Sequence, residues 1–266
     1  MSPTPDVTNS WIRRLRPRPD AAVRLVCFPH AGGSATYYHP LAHSPSLTPA
    51  AEVLAVQYPG RQDRRREPLV DSLSLLADQA ATALEPLADR PLVLFGHSMG
   101  ATLAYEVARR LGARRPAGEP RWLLVSGRRA PSRFRGGTVH LRTDTELVEE
   151  LRRVGGTDPA FLDDPELLET ILPVVRNDYR AIEGYRWTPV PPLTCPITAL
   201  VGDRDPQTTL DEAAAWKQHT SGAFELRDFA GGHFYLDAHR QGVADAVSRV
   251  LERVARPMET LGGNGR

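Results

Sequence analysis

Along most of the chain, short apolar runs alternate with longer stretches in which apolar and polar positions interleave. Val23–Phe28, Val53–Gln57, Pro91–Phe95, Trp122–Ser126, Ile197–Val201 and Phe224–Phe229 read as strands. Where the run is nearly unbroken, as in "PLVLF", the strand it predicts is covered on both faces. Leu69–Leu87, Ala101–Leu111 and His239–Val254 read as amphipathic helices. In the second of these, Leu103, Val107 and Leu111 share a face, and Gly112 is the expected stop. Strand and helix in alternation predict an α/β fold, a mostly parallel sheet with helices on both faces. Residues 1–20, polar and rich in Pro and Arg, read as a loosely held arm. Residues 21–256 then form a single domain, and 257–266 a Gly-containing tail.

The alternation breaks once. About seventy residues separate Ser126 from Ile197, against an ordinary connection of about 2–6 in such folds. Two helices fit inside. Thr143-x-x-Glu146 is a capping box ahead of a stripe of Leu147, Val148, Leu151 and Val154, with Gly155 as stop. Asp164-Pro165 opens the second helix, which carries Leu167, Leu168, Ile171, Leu172 and Val175, with Pro173 as a site for a kink. So apolar an insertion must pack on something. Residues 130–190 are expected to form a helical lid over the C-terminal edge of the sheet, where sites open in such folds. A decorative subdomain away from the site is the competing expectation.

Composition narrows the function classes. The chain has 266 residues and a net charge of +1, which gives no electrostatic reason to expect nucleic-acid binding. Lys217 is the only lysine, so Arg13-Arg14 and Arg64-Arg65-Arg66 are expected to reflect a compositional bias and solvated surface. A docking patch for an acidic partner is the other reading of those clusters. Cys27 and Cys195 lie in or beside apolar runs and are expected to be buried small side chains. No apolar run reaches membrane-spanning length and the N-terminus lacks an apolar signal core, so a cytoplasmic protein with no membrane contact is expected. No Walker loop or zinc spacing calls for a cofactor or metal.

The chemistry centres on "GHSMG", residues 96–100. A Gly-x-Ser-x-Gly pattern arises by chance in about one chain in ten of this length, so the flanks decide. Here it joins a buried strand to a helix, the context of a nucleophile elbow, in which Ser98 sits on a strained turn at a helix N-terminus. Bulk at positions 96 and 100 would clash there. A serine needs a base, and the base an orienting acid. His140, His219, His233 and His239 follow Ser98. Of these, His233 alone lies in a Gly-rich loop directly after a strand, "DFAGGHFYL". His140 falls in the insertion, His219 in a polar helix end, and His239 at the start of the last helix. The acid should end the preceding strand, where "VGDRDP" offers Asp203 and Asp205. Asp205 is the better placed, three residues past Gly202, with Asp203 holding the turn as the alternative. Oxyanion donors are expected from the N–H groups of Met99, after the nucleophile, and Ala31, in "FPHAGG". His30 is expected to brace that loop, and His97 to point away from the elbow and pack.

"CFPHAGGSATYY", "YPGR", "GHSMGA" and "GGHFYL", in this order and at these separations, resemble the stand-alone type II thioesterases of the α/β-hydrolase superfamily. The resemblance runs from residue 21 to about 255 and includes the helical insertion. It implies an editing enzyme of polyketide or nonribosomal peptide synthases. Such an enzyme hydrolyses acyl thioesters on the phosphopantetheine arm of acyl or peptidyl carrier proteins, with Ser98, Asp205 and His233 as triad and no cofactor of its own. A small-molecule carboxylesterase or acyltransferase would use the same residues, and a non-catalytic binding protein on the same fold is the third reading.

Overall fold

The computed structural model describes residues 10–115 and 118–256. Its centre is a seven-stranded sheet in the order β1-β3-β2-β4-β5-β6-β7. The strands are β1 (Ile12–Arg16), β2 (Val23–Phe28), β3 (Ala51–Val56), β4 (Leu92–His97), β5 (Trp122–Ser126), β6 (Ile197–Gly202) and β7 (Phe224–Phe229). Every neighbouring pair is parallel except β1 with β3. Side chains alternate between the faces of a strand, so an unbroken apolar run supplies both. Val26, Leu54 and Leu94 enter one core and Leu25, Val53 and Val93 the other.

Helices cover both cores: α1 (His39–Ala42), α2 (Leu73–Leu84), α3 (Met99–Arg114), then α4 (Asp144–Val154), α5 (Pro159–Leu162) and α6 (Pro165–Gly184) between β5 and β6. Short α7 (Leu210–Ala214) and α8 (Tyr235–Ala238) precede the closing α9 (Arg240–Ala255). α2 begins four residues after the expected start because Ser72 caps it, its side chain accepting from the Leu75 N–H. α3 runs through Gly112 and ends at an extended Arg115. The Thr143–Glu146 capping box is formed, and Gly155, at φ +86°, ends α4. α6 is continuous across Pro173. The insertion has a small core of its own, in which Leu147, Leu151, Leu162, Leu172 and Val175 meet.

The loosely held arm needs correction at residues 12–16, which form edge strand β1. Only Ile12 and Leu15 interrupt its charges, but its arginines have partners: Arg14 with Glu52 and Arg13 with Asp63. Charged side chains on an edge strand also discourage pairing with another chain. Arg64 is not solvated surface either. It is 5% exposed, paired with Glu67 at 2.5 Å, and its guanidinium lies 4.5 Å from the Trp11 ring centroid. Residues 1–9 and the 257–266 tail lie outside the described residues. Cys27 and Cys195 are free and buried. No described helix is long and apolar enough to cross a membrane.

Candidate active site

β4 and α3 meet at Ser98, which adopts φ +54° and ψ −120°. Such geometry costs a non-glycine residue about 1–3 kcal/mol and persists only where the surroundings hold it. The surroundings are tight. A Cβ on Gly96 would lie 2.1 Å from the Gly100 carbonyl oxygen, and one on Gly100 would lie 2.0 Å from that of Phe28. Strand, helix and the start of the next loop touch through backbone, and glycine alone permits it. The Ser98 N–H donates to the Ser126 carbonyl at 2.8 Å, anchoring the turn to β5. Among the described residues, the N–H groups of Met99 and Ala31 have no intramolecular acceptor. Both flank the elbow: Met99 opens α3, and Ala31 follows the Phe28–Pro29 backbone that Gly100 touches.

The loops after β6 and β7 bring Asp205 and His233 together. His233 Nδ1 lies 2.8 Å from Asp205 Oδ2 and 3.0 Å from Oδ1, and the two side chains are 3% and 0% exposed. A carboxylate accepts, so Nδ1 is the donor in this contact, and Nε2 is the ring nitrogen that it leaves unused. The Gln207 N–H donates to Asp205 Oδ1 at 2.7 Å and fixes the carboxylate. Gly202 allows the close approach, since a Cβ there would meet the Gly232 carbonyl oxygen at 2.2 Å. Asp203 has a different partner, accepting at 2.7 Å from the Gly231 N–H of the histidine loop. His239 bonds the Ala230 carbonyl and His140 bonds Glu183. His219 does end a helix, the 3-10 turn Ala215–His219, but that end is not polar surface: the residue is 2% exposed, among Tyr105, Trp187 and Trp216.

Ser98 and His233 share one edge of the sheet. The ring of His97, next to Ser98, lies 4.9 Å from that of His233, and both rings border Gly127. Among the described residues no hydrogen bond joins Ser98 to His233. His97 was expected to face away from the elbow. It packs, but against His233, with Nδ1 at 2.9 Å from Ser126 Oγ. Burial, with an electrostatic contribution from the neighbouring His233 ring, holds His97 well below the usual imidazole range. His30 is pushed down to about 3 by burial, then by His233 and Arg61. Both therefore remain neutral beside His233. His30 packs by its ring, edge-on to Tyr37 and Phe234.

One pair escaped the sequence reading. Asp178, on α6, is 1% exposed and pairs with Arg61, which is 6% exposed. Asp178 Oδ2 also accepts from the Gly32 N–H at 2.7 Å, while Arg61 Nε donates to the Gly33 carbonyl at 3.0 Å. The insertion is thus fastened to the loop carrying Ala31. Val175 presses on the same loop, 2.6 Å from where a Gly32 Cβ would be. At the other side, Phe234 lies within 2.3 Å of a Cβ on Gly156.

A thioesterase-domain model matches residues 23–251. The chain belongs to the type II thioesterases. A probable cadicidin biosynthesis thioesterase of Streptomyces griseus is 50% identical over 246 residues, 92% of this chain and 67% of that protein. Thioesterase PikA5 of Streptomyces venezuelae is 50% identical over 90% of this chain and 84% of its own length. Among solved structures, the type II thioesterase BorB from the borrelidin cluster superposes with a TM-score of 0.82 at 50% identity, covering 91% of this chain and 97% of BorB. The fold is that of the α/β-hydrolases, and the protein is a hydrolase acting on thioesters.

Proposed function

We propose that this thioesterase clears acyl groups from the phosphopantetheine arm of acyl or peptidyl carrier proteins in polyketide or nonribosomal peptide assembly. The observation that carries its mechanism is the buried His233–Asp205 pair beside a positive-φ serine on the same sheet edge. His233 Nε2 takes the Ser98 proton as Oγ attacks the thioester carbon. The N–H groups of Met99 and Ala31 receive the oxyanion, and collapse expels the thiol, protonated by His233. Water, deprotonated by the same nitrogen, then attacks the acyl-serine and releases the free acid. Asp205 holds the imidazole in its tautomer throughout and stabilises the imidazolium. Residues 130–190 act as the lid, fastened through Asp178 to the oxyanion loop.

The carrier reading draws support from relatives whose names tie them to such pathways, including BorB and the yersiniabactin-pathway type II thioesterase YbtT. Its test is rate against substrate form. Acyl groups loaded on a carrier protein should be released faster, per kcat/KM, than the same acyl groups as oxygen esters. Faster turnover of the small oxygen esters would favour a carboxylesterase.

A further inference from the structure

A cavity of about 280 Å³ is walled by the first turn of α3, the loop after β5, the loop that follows Asp205, and α4 and α6. Two contacts tie it to the chemistry. Thr102, one turn beyond Ser98, accepts from Arg128 Nε at 3.2 Å. Gln207, whose N–H holds Asp205, offers its carbonyl to Arg129 Nη1 at 3.0 Å.

The charges around this cavity do not balance. Glu150 is taken up by Arg142 and Arg153, and Glu183 by His140 and two backbone N–H groups. Arg128 and Arg129, both only partly exposed, have no carboxylate within ion-pair distance among the described residues. Burial is the main influence lowering the pKa of each, and for Arg128 the neighbouring Arg129 adds to it. Partly buried guanidinium groups are ordinarily paired, because desolvation is otherwise unrecovered. A plain alkyl chain in this cavity would add to that cost. A group bearing negative oxygens would remove it and could use the guanidinium fork.

We propose that the cavity is a subsite for an anionic oxygen group of the thioester substrate, received by Arg128 and Arg129. The inference rests on the thioesterase reading. Two parts of such a substrate carry that chemistry: the phosphate of the pantetheine arm and a carboxylate on the acyl chain. The test uses small thioesters in matched pairs. Butanoyl-pantetheine against butanoyl-4′-phosphopantetheine reports the phosphate, and butanoyl- against succinyl-N-acetylcysteamine reports the acyl carboxylate. In the wild type, the anionic member of one pair should be favoured by about tenfold or more in kcat/KM, chiefly through KM. Arg128→Gln and Arg129→Gln should each pull that ratio toward one, and Arg128→Lys should keep part of it. Ratios near one for both pairs in the wild type would overturn the proposal, as would a preference that survives both glutamine variants. Turnover of butanoyl-N-acetylcysteamine by the wild type tests the thioesterase reading separately, since that substrate carries no anion.

Discussion

The pair that fastens α6 to the loop carrying Ala31 yields the most quantitative prediction. Asp178 and Arg61 are 1% and 6% exposed, so neither charge can turn to water when its partner is removed. Breaking a buried pair from one side costs about 3–5 kcal/mol, because the remaining charge stays desolvated. Asp178→Ala also strips the Gly32 N–H of its acceptor, adding about 1 kcal/mol. Arg61→Ala leaves Asp178 buried with that single N–H donor and should fall within the same range. The double variant removes both charges together. Its cost should fall short of the sum of the singles by about 2 kcal/mol or more. Urea unfolding at pH 7.5 of the wild type and the three variants measures this cycle, provided the slope with denaturant stays constant. Single-variant losses below about 1 kcal/mol, the range of exposed pairs, or strictly additive losses would refute the reasoning.

Three further outcomes follow from other contacts. Gly100→Ala puts a methyl 2.0 Å from the Phe28 carbonyl oxygen and should abolish thioester hydrolysis by opening the elbow; a wild-type rate would show that β4 and α3 do not meet this closely. His30, held down to about 3, His219, to about 4, and His97, well below the usual range, are neutral in the fold, whereas in the unfolded chain they gain protons below about pH 6.5. Lowered folded values make acid destabilising, so stability should fall between about pH 6.5 and 4 by up to about 1.4 kcal/mol per pH unit for each imidazole; chemical denaturation at stepped pH checks it, and a flat profile in that window would contradict it. His239→Ala removes a bond to the Ala230 carbonyl and a ring contact with Phe229, neither of which touches Ser98 or His233, so acyl-carrier hydrolysis should stay within about threefold of wild type; a loss as large as that of His233→Ala would move the base to His239.

Much of this was legible in the residues because the signals are local. The central strands announce themselves since both faces are buried, and the glycines at 96, 100 and 202 mark where backbones touch. The order Ser98, Asp205, His233 singled out groups that the fold then gathers on one edge. What escaped is non-local. β1 exists because β3 offers an edge, and nothing within "IRRLR" records that. Arg61 and Asp178 are 117 positions apart, and their pairing depends on how α6 lies across the loop after β2. His97 follows Phe95 by two residues, hence shares its face of β4. That face receives Tyr235 and the histidine loop, so His97 packs beneath His233.

The central claim is that Ser98 and His233 act as one unit. The most direct measurement is kcat/KM for an acyl thioester on a phosphopantetheinylated carrier protein, with Ser98→Ala, His233→Ala and the double variant beside the wild type. Each single change should lower it by about ten-thousand-fold or more, and the double should be no worse than either single. A single variant that retains near wild-type turnover, or losses that multiply in the double, would contradict the account.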